Sequence, residues 1–247
     1  LQAGQIDLVL NDLVSAALLQ SAAGGTGYQI IRLAYRGSPS LAMMTVLGAP
    51  GSGISEPSQL KGIEIGISGN TVIEYATDRM LETAGLTQAE IRKTEVTKIP
   101  VRLELLAKNQ IKAATLPEPF ASLGESMGAT RIVDDAKTGI GTSVITARKS
   151  LVDGAADALR RFLAGYEAAV SRLAASPEAY RDLFVDKAKV PQAVQKTLAI
   201  PPIPMFQLPT VADVKGVSDW MVSKGLLKDA LSYDALVAKG IGPRASQ

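Results

Sequence analysis

Three carboxylates stand where a strand-like run gives way to a helical one. Asp12 closes "DLVLND", Glu74 lies three residues past Thr71 in "GISGNTVIEY", and Glu118 sits between prolines in "KAATLPEP". A carboxylate at such a turn can serve as a general acid or base, hold an amine, or simply cap the following helix. The capping alternative is concrete in each case. Asp12 is a good N-cap, Thr71 and Glu74 have the spacing of a capping box, and Pro117 suits a first helical turn through its fixed φ. Taken singly, each is structural before it is functional. Taken together, three such ends suggest one shared cleft.

Other chemistry is excluded by composition. The 247-residue chain has no cysteine and no histidine. That removes Cys/His nucleophile pairs, histidine bases, thiolate redox motifs and the usual zinc sites. With 26 basic and 24 acidic residues spread along the chain, the net charge is +2 and no basic run marks a nucleic-acid surface. No apolar stretch reaches the roughly 18 residues of a membrane-spanning helix. "GGTG" and "GAPGSG" lack the Gly-Lys-Ser/Thr ending and the full dinucleotide fingerprint, and read as turns. No cofactor is expected.

The elements that must position these residues alternate short apolar runs with helical patterns, which predicts α/β units with mainly parallel strands. "IDLVL" leads into "DLVSAALLQSAA", and "YQIIRLAY" and "LAMMTVL" are strands. "IEIGI" precedes the helix "TVIEYATDRMLETAG", and "KAATL" precedes the helix "PEPFASLGESMG". After "GTSVITARKS" the pattern turns helical, interrupted by the proline-rich "IPPIPMFQLP". Trp220 shares a helical stripe with Val214, Val217 and Met221 and reads as core. Phe206, in the stiffened proline loop, reads instead as facing a pocket. At the start, "LQAG" reads as the end of a helix with Gly4 as its C-cap, so a preceding segment is expected. In an open parallel sheet the strand ends at Asn11–Asp12, Asn70–Thr71 and Pro117–Glu118 border a ligand crevice. There, helix N-termini offer free N–H groups.

"LQAGQIDLVLND", "LKGIEIGISGNTVIEYATDRMLETAGL", "LLAKNQIKAATLPEPFASLGESMGA", "SVITARKSL" and "SDWMVSKGLL", in this order, resemble the solute-binding proteins of ABC importers. The group is the nitrate/sulfonate/taurine one, which includes binders of a thiamine pyrimidine precursor. The resemblance implies a two-lobed periplasmic-binding-protein fold of type II, with two hinge strands and a helical C-terminal region. One lobe would combine residues 1–47 and 143–247, the other span 48–142, with "LAMMTVL" and "TSVITAR" as hinges. The family has a strand, a helix and a strand ahead of "LQAGQIDLVLND", which implies a truncated N-terminus. Its secretion signal, often with a lipid-anchor cysteine, implies a periplasmic or cell-surface location.

Carried over residue by residue, the resemblance implies a ligand site of Asn11 and Asp12 facing Ser68, Gly69, Asn70 and Thr71. Glu118 would lie nearby, Thr142 and Ser143 at the hinge, and Phe206 at the rim, with Glu74 of second rank. Asp12, Glu74 and Glu118 would make that site acidic, which admits an amine-bearing or neutral heterocyclic solute beside a bare anion. The implied function is non-catalytic capture of a small polar solute by hinge closure. The implied partner is a membrane permease, met as a monomer. Two alternatives stand beside it. One is an enzyme on the same fold using carboxylate chemistry, since the family's pyrimidine-precursor synthases need histidine and cysteine. The other is a ligand-sensing effector domain.

Overall fold

A computed structural model describes residues 1–140 and 142–243. The chain packs into two compact units. Unit 1 is Leu1–Tyr35, Thr142–Ala179 and Pro202–Gln247, and unit 2 is Arg36–Gly141 and Tyr180–Pro201.

Unit 1 holds a three-stranded sheet in the order β1-β8-β2, formed by β1 (Leu8–Asp12), β8 (Thr142–Arg148) and β2 (Tyr28–Arg36). β1 runs antiparallel to β8, with Asp12 opposite Ser143 and Asn11 opposite Val144. Helix α1 (Leu13–Ala22) follows β1 directly. Ile31, Ala34, Ile145, Ala147, Leu159, Leu163, Ala238 and Ile241 form a core drawn from three distant stretches of chain. Residues 1–3 form a turn, closed by Gly4 N–H on Leu1 O at 3.1 Å, where a helix end was expected. Gly4 does take the left-handed conformation expected of a C-cap, at φ 71°.

Unit 2 holds β3 (Met44–Gly48), β4 (Glu64–Ile67), β5 (Arg92–Glu95), β6 (Ala113–Pro117) and β7 (Thr130–Asp134), in the order β5-β4-β6-β3-β7. β4 pairs in parallel with β5 and β6, while β3 is antiparallel to both β6 and β7. The five-stranded sheet is therefore mixed, and β1 runs antiparallel to β8, where mainly parallel strands were expected. The reason is physical: a continuous apolar run reports burial on both faces, not strand direction. β3 is buried at all five positions because it lies between β6 and β7, and it reads like a parallel interior strand. Helices α2 (Val72–Thr83), α3 (Ile99–Ala107) and α4 (Phe120–Ser126) complete the body of this unit.

The later helices are α5 (Lys149–Gly154), α6 (Ala156–Ala175), α7 (Arg181–Lys187), α8 (Val211–Ser223) and α9 (Tyr233–Leu236). α7 and the 3-10 turn after it lie in Tyr180–Pro201, which packs with unit 2 although the sequence grouped it with the first lobe. Hydrophobic runs are short here, and nothing in their period names the surface they cover. The chain first passes between units after Tyr35, ahead of "LAMMTVL", and β3 lies wholly within the sheet of unit 2. Trp220 is buried on α8 beside Val214, Val217 and Met221, as its stripe implied.

Candidate functional site

In unit 1 the end of β1 brings Asn11, Asp12 and Ser143 together, because Asp12 and Ser143 are register partners. Asp12 is the N-cap of α1: Oδ1 accepts from Ser15 N–H at 2.9 Å and Oδ2 from Ser15 Oγ at 2.7 Å. Both its oxygens thus serve the helix start. Asn11 differs. Its Oδ1 accepts from Thr146 Oγ1 at 2.8 Å, but its Nδ2 is buried with no hydrogen-bond partner among the described residues. A buried donor left unpaired costs about 1–3 kcal/mol, and an acceptor arriving there recovers it. Thr142 is buried at the start of β8 and Ser143 is half-buried.

Phe206 stands apart from this cluster. Its ring packs against the unit 1 core and covers Gly242, whose added Cβ would lie 3.0 Å from the ring. The proline loop is fastened at three points: Phe206 N–H to Glu167 Oε2 at 2.6 Å, Leu33 N–H to Gln207 O at 2.7 Å, and Arg32 Nη2 to Pro204 O at 2.8 Å. Arg32 is fully buried and stacks 4.0 Å from the Tyr166 ring centroid. The pocket-facing role expected of Phe206 therefore gives way to packing: the loop is stiff because it is pinned, and pinning turns the ring inward.

In unit 2, β4 and β6 are parallel neighbours, so the Ser68–Thr71 loop and the Glu118 turn lie at one edge of one sheet. Asn70 adopts φ 58°, a left-handed turn that reverses the chain into α2. Thr71 is the N-cap and accepts from Ile73 N–H at 3.1 Å. Glu74 Oε2 accepts from Asn70 N–H at 2.7 Å, so the expected box is displaced one residue towards the strand. Its Oε1 meets Lys93 Nζ at 2.9 Å, and that ammonium also donates to Asp78 Oδ1 at 2.6 Å. Burial alone would lower the Lys93 pKa; the two carboxylates outweigh it and hold the group above its ordinary range. Gly69 N–H donates to Glu95 Oε2 at 3.0 Å. The loop's Gly69 and Asn70 donors, expected to face a solute, are occupied by the protein's own acids.

Beneath this loop lies Arg102, fully buried on α3, which the sequence reading missed. Its Nη1 donates to Thr115 O at 2.7 Å, Nε to Val96 O at 2.9 Å, and Nη2 to the Ser68 hydroxyl. Burial pulls the guanidinium down to about 10, opposed by the nearby Glu95. It stays charged at neutral pH and ties the ends of β4 and β6 together. The signal was an arginine one position from Leu103 in the apolar stripe of "VRLELLAKN".

Glu118 closes β6 ahead of a cis bond to Pro119, and its Oε2 accepts from Ser122 N–H at 3.1 Å. The nearest cation, Arg131 Nη2, is 3.9 Å from Oε1 and is itself held by Glu125 and Asp134. Burial raises the Glu118 pKa, more than Ser122 and Arg131 lower it. The three acids that suggested an acidic cleft are thus spent inside the fold as a cap, a lysine pair and a desolvated carboxyl. The motive for an amine-bearing solute falls with them.

These two sheet-and-helix units define the fold of two-lobed periplasmic binding proteins. The periplasmic aliphatic sulphonate binding protein SsuA from Escherichia coli matches with a TM-score of 0.80 at 17% identity, over 99% of this chain and 79% of that one. The alkanesulfonate-binding SsuA from Xanthomonas axonopodis pv. citri, bound to MOPS, matches at 0.75 and 18%, over 95% and 81%. The desulfurization enzyme DSZB shares the fold at 0.72 and 15%, over 95% and 83%. A sequence search of curated proteins finds no match. The NMT1/THI5-like family model matches residues 14–180, and the chain belongs to that family.

Proposed function

We propose that this chain is the extracytoplasmic solute-binding component of an ABC importer. It captures a small polar solute with an acceptor-rich, anionic head of the sulfonate kind, closes its two units on it, and passes it to a membrane permease. One observation carries the reading of the head group: Asn11 Nδ2 is buried without a partner at the end of β1, where only an acceptor completes it. The charged, carbonyl-bound Arg102 beneath the Ser68 loop favours the same sign. The likeness to sulfonate-binding proteins supports the solute-binding role.

In this reading Asn11 donates to the solute, with Ser143 and Thr142 beside it in unit 1. Thr71, Asn70, Gly69 and Ser68 shape the opposing surface of unit 2. Asp12, Glu74 and Glu118 support these positions, and Phe206 steadies the loop of unit 1. The shared fold with DSZB raises the catalytic alternative. Against it, no cysteine or histidine is present, and each of the three candidate carboxylates is engaged within its own unit.

Isothermal titration with alkanesulfonates, taurine, nitrate, bicarbonate and pyrimidines tests the reading. Sulfonates bind in micromolar or tighter fashion, and Asn11→Ala weakens them by about 5- to 30-fold, the value of one or two kcal/mol of lost hydrogen bonding. Binding of none of these solutes, or chemical turnover of a bound one, overturns it.

A further inference from the structure

A pocket of about 110 Å³ lies wholly within unit 2. Leu41, Met43 and Pro119 form one wall, and Phe184, Val190 and Leu198 the other. The second wall comes from Tyr180–Pro201, which carries a small hydrophobic cluster of its own, Val190, Val194 and Leu198, backed by Phe184 and Val185. That wall is therefore held by its own packing rather than by contents of the pocket. Interiors are normally close-packed, and an apolar void forfeits dispersion contacts along its whole lining. The volume approaches the roughly 150 Å³ apolar cavity that takes up benzene or xenon.

We propose that this pocket binds a short uncharged aliphatic group. Its lining supplies apolar contact and an adaptable thioether in Met43. Among the described residues the one ionisable group in the lining is Glu118, which repels an anion when charged. Arg131, behind Glu118, is itself bound by Glu125 and Asp134. Ala188 and Ala199 are the exposed members of the lining, and the proposed mouth lies between them.

The inference does not rest on the solute reading, since the probes carry no anionic head. 1-Butanol in solution and xenon under pressure are titrated against the methyl resonances of Met43, Val190 and Leu198. Saturable shifts at these residues are expected, and both probes weaken by about tenfold in Ala188→Trp and Ala199→Trp, which plug the mouth. Both positions are exposed, and an unchanged circular dichroism melt verifies that each variant folds. Non-saturating shifts, undiminished binding in both plugged variants, or butyrate binding as tightly as 1-butanol would overturn the proposal.

Discussion

Glu118 is the carboxylate whose surroundings depart furthest from what its neighbours in sequence suggest. Its folded-state pKa is raised by burial, so its ionised form is disfavoured in the fold relative to the open chain. The stability linked to it is complete below the ordinary carboxylate pKa of 4.5 and is lost as pH rises through the folded value. Glu118→Gln removes that loss while its amide oxygen still accepts from Ser122 N–H. The variant is expected to melt above the parent at pH 7, with the gap closing as pH falls towards 4.5. A gap of constant size across thermal melts from pH 4 to 8 would refute this. At this scale the sequence located the strand-end residues but not their partners. Asp12 and Thr71 cap as their types imply, because capping is local. Lys93, Glu95 and Arg102 engage the loop and its helix start from 19 to 34 residues away (Lys93 to Glu74, Arg102 to Ser68), and no spacing rule reaches that far.

At the scale of elements, close approach around β3 sets what the second sheet tolerates. Gly48 ends β3, and an added Cβ would lie 2.8 Å from the backbone oxygen of Ile54 and 3.2 Å from Ile132 Cδ1. Gly124, inside α4, would place one 2.8 Å from Leu47 Cδ1 and 3.2 Å from Leu103 Cδ1. Helix propensity favours alanine over glycine at Gly124 by about 1 kcal/mol. Overpacking against the fully buried Leu47 costs about 1–3 kcal/mol, so the net change is a loss of roughly 1 kcal/mol. Gly48→Ala has no such compensation and meets backbone, so its loss is the larger of the two. Urea unfolding of both variants checks the order, and a Gly124→Ala protein more stable than the parent would contradict it. Element identity was readable wherever period and caps agreed, as for α2 and α8. Strand direction was not readable, because β3 is buried throughout for its central place in the sheet, whichever way it runs.

At the scale of the whole molecule, the two units differ in how their chain segments are gathered. Every strand of the five-stranded sheet lies between residues 36 and 141. So do both hydrophobic clusters around it, one including Ile65, Met80 and Leu81 and the other Leu47, Leu103 and Leu116. In unit 1 the central strand β8 has both neighbours, β1 and β2, more than 100 residues earlier in the chain. Its core needs Ile31, Leu163 and Ala238 together. That separation explains why the sequence announced alternating α/β units but not which later segments join which: apolar period marks a face, and the partner is set by chain closure over long loops. A fragment of residues 36–141 is therefore expected to fold alone, with a cooperative melt and dispersed amide resonances. It should be weaker than the same unit in the full chain, since Tyr180–Pro201 no longer covers Met43. A fragment of residues 142–247 is expected to keep helix, chiefly α6, without β-sheet dispersion, because β8 has lost both partners. Adding a third peptide, residues 1–35, should restore that dispersion only if β1 and β2 supply the missing edges. A 36–141 fragment without a cooperative transition would show instead that its sheet depends on the rest of the chain.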